Sequence, residues 1–259
     1  MRRLVVLCVL AALLVGMPVE VGAQERVRTD QGPTIPFVDL QIREPESNQE
    51  VALSLQLLLL LAVIALAPSI MLLTTAFLRI AIVFDFIKRA LALQQVPPTQ
   101  VLMGIALFLT VFIMWPTLSE IYENAFEPFA AGDIGIQELY QEAESPLRLF
   151  MYRQLANNPD NIRLFMRMRN LPPPENLADV PTFVLVPAFV LNELTVAFKI
   201  GILLFIPFIV IDMVVASTLM SMGMIMLPPV MISLPFKLIL FVLVDGWDLI
   251  TYQLVRSFG

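Results

Sequence analysis

The chain has 259 residues, 58% of them hydrophobic and 15% charged, with a mean hydropathy of +0.83; an ordinary soluble domain carries about 25% charged residues. A formal charge of -6 is not the basic footprint of a nucleic-acid binder, and the absence of histidine removes the commonest metal ligand and the usual proton shuttle. The composition is that of a membrane-class protein, and no cofactor or metal set is expected in it.

Residues 1–23 read as a signal peptide. Arg2 and Arg3 precede an apolar run from Leu4 to Val15, Pro18 breaks it, and Val21, Gly22 and Ala23 supply the small residues of a cleavage site before Gln24. Cutting between Ala23 and Gln24 would remove Cys8, the only cysteine, which suits an oxidising compartment. Residues 24–50 are polar and form an exposed tail, placed in the periplasm by that signal.

The apolar block from Val51 to Phe84 carries one charge, Arg79. As a helix it would extend roughly 50 Å, too long for one straight span of a ~30 Å hydrocarbon core and too short for two. A helix kinked at Pro68 is therefore expected. Lys88 and Arg89 follow, then a turn at Pro97 and Pro98, then a second span from about Val101 to Leu118, so residues 51–118 form a first helical hairpin. Its short basic loop belongs on the cytoplasmic side, in agreement with a mature N-terminus delivered outside.

Residues 119–181 form a polar, periplasmic helical region. Glu120, Glu123, Glu127, Asp133, Glu138, Glu142 and Glu144 come first, then Arg148, Arg153, Arg163, Arg167 and Arg169. Apolar residues at Leu147, Phe150, Met151 and Leu155, and at Ile162, Phe165 and Met166, predict two short amphipathic helices on either side of Asn157-Asn158-Pro159, the second ended by Pro172, Pro173 and Pro174. The two charge blocks read as solvated faces or as acidic and basic faces that meet, within this domain or in a neighbouring copy.

Residues 182–259 form a second helical hairpin with Glu193, Lys199, Asp212, Lys237, Asp245 and Asp248 set among apolar residues. Ionisable groups at membrane depth are costly and normally face protein, water or a partner charge. Glu193 and Lys199 lie on different faces of a helix and do not neutralise each other. We expect Glu193 and Lys237 to be satisfied across subunit boundaries, and Glu193, Lys199, Asp212, Lys237 and Asp245 to serve as assembly charges. In the same block Met220, Met222, Met224 and Met226 recur every two residues, so no single helical stripe explains them. Gly223, Pro228 and Pro229 favour a loop there, with methionine as gap-filling core the alternative.

No catalytic or nucleotide-binding motif is present. Asp212 and Asp245 could be compared with an intramembrane aspartyl pair, but no second motif supports an enzyme. A small multi-spanning secondary transporter or channel subunit is the better rival, although the chain shows no internal repeat.

The stretches PSIMLLTTAFLRIAIVFDFIKRAL, QQVPPTQVLMGIALFLTVFIM, VPAFVLNELTVAFKIGILLFIPFIVIDMVVASTLMSMGMIMLPPVMISLPFK and FVLVDGW resemble the flagellar branch of the FliP/SctR family of type III secretion export gates, over roughly residues 50 to 258. Asn192, Lys199, Thr99 and Ile225 depart from the family pattern, and Lys199, where Gln is usual, adds a charge. The resemblance implies an all-α fold whose membrane-like hairpins, four long apolar segments after the signal, pack into a helical hetero-oligomeric gate. It implies a pentameric set of copies joined by FliQ and FliR, with FlhB and FlhA nearby, in the bacterial inner membrane at the flagellar basal body. It also implies that the gate stands largely on the periplasmic side, that unfolded flagellar substrates pass through it, and that Met222, Met224, Ile225 and Met226 form its constriction.

Overall fold

Every described regular element is helical. The computed structural model describes residues 48–259 apart from 94–95, 157 and 225; the expected signal peptide, the Ala23–Gln24 junction, the tail to residue 47 and Ile225 lie outside the described residues. The chain divides into two units at Leu55/Gln56. Of the first, only helical residues from Asn48 are described, and the packing below belongs to the second.

In chain order the helices are α1 Asn48–Thr74, α2 Phe77–Ala90, α3 Thr99–Ile121, a π-helical turn Tyr122–Phe126, α4 Glu127–Ala131, α5 Ile136–Leu155, α6 Asp160–Met168, a 3₁₀ turn Leu177–Asp179, α7 Thr182–Ser221, α8 Pro229–Leu243 and α9 Gly246–Arg256. Among the described residues three stretches are long and apolar enough to cross a membrane: Ala52–Thr74, Thr99–Ala131 and Thr182–Ser221. Helices α8 and α9, bent by 63°, make a fourth if taken together.

The first apolar block is not one helix kinked at Pro68. Helix α1 passes through Pro68 and stops at Thr74, and α2 begins at Phe77. The hydroxyls of Thr74 and Thr75 donate to the carbonyls of Ile70 (2.9 Å) and Leu72 (3.5 Å), and Phe77 N–H donates to the Thr75 hydroxyl (3.4 Å). The break thus falls where side-chain hydroxyls can satisfy a helix end. The halves also differ in kind: Ala52 to Leu73 are exposed throughout, whereas Arg79, Ile80, Val83, Phe84 and Ile87 of α2 are buried.

Helix α2 packs on α3 and α7 in a core that also takes Phe241 of α8 and Ile250 and Leu254 of α9. Its contacts with α7 advance in the same direction along both helices, Arg79 to Glu193 and then Phe86 to Phe198 and Phe205, so the two run parallel. Gly201 makes their approach possible, because a Cβ there would lie 2.5 Å from the Phe86 ring. A second cluster joins Met151 and Leu155 of α5, Ile162 and Met166 of α6, and Val184, Leu185, Ala188 and Phe189 of α7. The apolar spacing read from the sequence supplies these buried positions of α5 and α6. Helix α7, 40 residues long, runs through both clusters and ties them together.

Four helix ends share one local device. Ala92, Gly132, Asn170 and Gly223 all have positive φ, and each closes the helix before it with the paired backbone bonds of a Schellman motif, as in Leu171 N–H to Met166 O and Met224 N–H to Leu219 O, both 3.0 Å. Helix α6 therefore ends at Met168 and is closed at Asn170, ahead of the proline run expected to stop it. The second span also extends past Leu118, continuing through the π turn to Ala131, with the acidic residues there exposed.

Candidate functional site

A buried charge pair, a half-buried one and an exposed methionine loop are set along α7. At the first pair, Arg79 of α2 is 1% exposed and Glu193 of α7 0% exposed. Arg79 Nε and Nη2 donate to Glu193 Oε2 and Oε1 at 2.7 and 2.5 Å, the two-pronged geometry that a guanidinium and a carboxylate share. Nη1 donates to the carbonyl and hydroxyl oxygens of Ser257 (2.7 and 2.9 Å), and Nη2 also donates to Gln154 Oε1 (3.1 Å). The guanidinium sits 3.8 Å from the centre of the Phe258 ring, a favourable cation–π position. Gln154 Nε2 donates to Phe258 O, and Asn192 Nδ2 donates to Gln154 O. One arginine thereby joins α2, α5, α7 and the residues after α9.

At the second pair, Lys237 of α8 is 2% exposed and donates to Asp212 Oδ2 at 2.7 Å and to Ala90 O at 3.2 Å. Ser233 Oγ donates to Asp212 Oδ1 at 2.5 Å. These bonds satisfy a buried ammonium that would otherwise be very costly, and they clamp α8 to α7. The expectation that Glu193 and Lys237 find their partners across subunit boundaries is thus corrected: both are paired within one chain. The cause is tertiary. Arg79 lies 114 residues from Glu193 and is brought to it by the parallel packing of α2 on α7.

From Asp212 helix α7 continues to Ser221, about 14 Å at the usual rise, before the chain turns. Met220 is still helical and Met222 caps the helix; the loop proper runs from there to Pro228. Gly223, at φ 75°, makes the turn. Met222, Met224 and Met226 are 66%, 42% and 98% exposed, so none is core of this chain. The Asp212–Lys237 pair closes the stems of this loop about two and a half helical turns below it.

The remaining expected residues are dispersed. Asp245 is exposed, in a left-handed conformation (φ 49°, ψ 50°) at the bend between α8 and α9, and Gly246 is packed so tightly on Phe241 that no side chain fits. Lys199 is exposed on the wall of a cavity of ≈ 420 Å³ beside Arg153. In the polar region Arg148 ties α5 to the start of α7 through Thr182 and the carbonyls of Leu177 (3.1 Å) and Val180 (2.7 Å), with Glu144 3.8 Å away. Arg79, Gln154, Ser233 and Ser257 join the expected residues at these two pairs, and nothing in the local sequence marks the last three. The signal for Arg79 was its position as the one charge in an apolar block. Among the described residues no cluster of His, Cys, Asp or Glu could hold a metal ion.

The family model described as "FliP family" matches residues 60–254. The chain is 57% identical to the flagellar biosynthetic protein FliP of Treponema denticola, over 100% of both chains. It is 68% identical to that of Treponema pallidum, over 86% of this chain and 83% of the relative. To the Bacillus subtilis protein of the same name it is 52% identical, over 85% of this chain and 98% of the relative.

Proposed function

Because this chain belongs to the FliP family, we propose that it is a core subunit of the flagellar type III protein export gate and forms, with other subunits, the channel through which unfolded flagellar substrates are secreted. The observation that carries the reading beyond the family is the loop between α7 and α8. Three long, unbranched apolar side chains stand in the open there, on a turn whose stems are locked by the half-buried Asp212–Lys237 ion pair. Methionine adapts to many surfaces at low energetic cost. A ring of such loops can close without water and yield to passing segments of any sequence. Met222, Met224 and Met226, together with Ile225, are the residues of that constriction.

The reading needs other subunits. Exposed apolar side chains cover α1 and much of α7 and α8, more than a soluble monomer carries, and lipid or partner helices must cover them. Further copies of this chain, in a pentameric set, and FliQ and FliR are the assembly partners in this proposal, with FlhB and FlhA adjoining, at the flagellar basal body in the inner membrane. Residues 119–181 and the tail 24–50 lie on the periplasmic side, and Asp212 and Lys237 act indirectly, by holding the gate loop. The protein has no enzymatic role in this scheme. Deleting its gene should stop flagellar subunits from reaching the medium while their synthesis continues; normal secretion in the deletion strain would overturn the proposal.

A further inference from the structure

The loop between α7 and α8 is rich in one kind of electron-pair donor. From Leu219 to Met231 the side chains carry the thioethers of Met220, Met222, Met224, Met226 and Met231 and the hydroxyl of Ser221, with no carboxylate, amide, imidazole or thiol among them. The charged residues nearest in sequence, Asp212 and Lys237, are paired with each other. A hard cation, which takes oxygen ligands, finds no charged group here, whereas a soft one meets a set of sulfurs; soft, uncharged thioethers suit Cu(I).

The backbone keeps these side chains close together. Gly223 N–H donates to Met220 O and Met224 N–H to Leu219 O, both 3.0 Å, so at Gly223 the chain folds back over the last turn of α7 and keeps Met224 near Met220 and Met222. Met226 follows two residues on, no more than about 7 Å of chain. All four are exposed, Met226 almost completely, so no packing within the chain holds their sulfurs. The three rotatable bonds of each side chain let them turn toward a common centre.

We infer that Met222, Met224 and Met226, joined by Met220, form a binding site for a soft monovalent cation, with Cu(I) as the biological metal and Ag(I) as its redox-inert equivalent. Each sulfur gives a lone pair to the metal and releases no proton, and the metal keeps its oxidation state. No ligand has to be deprotonated, so the affinity should be the same from about pH 5 to about pH 8, unlike that of an imidazole or thiolate site. Binding depends on the loop's own donors, whether or not the loop is a gate.

The test uses the tag-free complex carrying the full-length chain, with Cys8, its only thiol, replaced by Ser. Titration with Ag(I) as the nitrate in chloride-free buffer, and with Cu(I) drawn from a chromogenic chelator, should show saturable binding that Zn(II) does not displace. Met226→Leu conserves volume at a position 98% exposed, so it leaves the fold intact and should weaken binding several-fold. Met222→Leu, Met224→Leu and Met226→Leu together should weaken it by about ten-fold or more. Met213→Leu, which removes an exposed thioether on α7 outside the loop, should change nothing. X-ray absorption of the Cu(I)-loaded complex should show sulfur neighbours that the triple variant loses. Undiminished binding by the triple variant, affinity that rises with pH, displacement by Zn(II) or a metal shell without sulfur would each overturn the site.

Discussion

Glu193→Ala removes both oxygens to which Arg79 Nε and Nη2 donate. Arg79 keeps its bonds to Ser257 and Gln154 and its contact with the Phe258 ring, but at 1% exposure it is left as a buried cation without a counter-charge among the described residues. Breaking one side of such a pair costs about 3 to 5 kcal/mol, a large share of the roughly 5 to 15 kcal/mol that holds a typical domain folded. The loss should therefore fall on the single chain before any assembly step. Thermal unfolding of the detergent-solubilised chain, run as a double-mutant cycle with Arg79→Met and Glu193→Leu, measures it. Each single change should destabilise strongly, and the pair together should cost less than either, because an apolar pair leaves no orphaned charge. If Glu193→Ala unfolded like the parent and lost only its ability to form the complex, the carboxylate would be serving a neighbouring chain and the in-chain pairing would be refuted.

Replacing Met224 and Met226 together by Ala should raise the leak of small ions through membranes holding the complex while its yield stays normal, since these side chains are 42% and 98% exposed; reduced yield without leak would show them to be core, where each buried Met→Ala costs about 2 to 5 kcal/mol. Gly201→Ala places a methyl 2.5 Å from Phe86 and should cost about 1 to 3 kcal/mol, partly recovered by Phe86→Leu in the same unfolding assay. Ala92→Gly should stabilise the chain by up to about 1 kcal/mol, because Ala92 holds a left-handed conformation (φ 56°) that costs a residue with a Cβ about 1 to 2 kcal/mol; an unchanged or lower midpoint would count against that assignment.

Local patterns in the sequence were sufficient for the all-helical class, the long apolar segments, the amphipathic faces of α5 and α6, and the loop at Gly223, Pro228 and Pro229. Each depends on residues within a turn or two of one another: apolar spacing sets the buried face, and a ring or a missing Cβ restricts or frees the backbone where it stands. The same reasoning failed at Pro68 because a proline weakens one helical bond without dictating where the chain must stop; the stop came at Thr74 and Thr75, whose hydroxyls satisfy the helix end just before α2 turns into the core. It also passed over Ala92 as a helix terminator, since alanine carries no local signal for a left-handed turn and adopts one only when the surrounding packing outweighs the strain. The charges show the division most clearly. Their positions in apolar sequence showed that Glu193 and Lys237 needed partners, because a charge out of water is too costly to leave alone. Which partners they have depended on α2 lying parallel to α7 and on α8 folding back along it, and those contacts, 114 residues apart for Arg79 and Glu193 and 25 for Asp212 and Lys237, are set by the packing of whole helices rather than by any spacing along the chain.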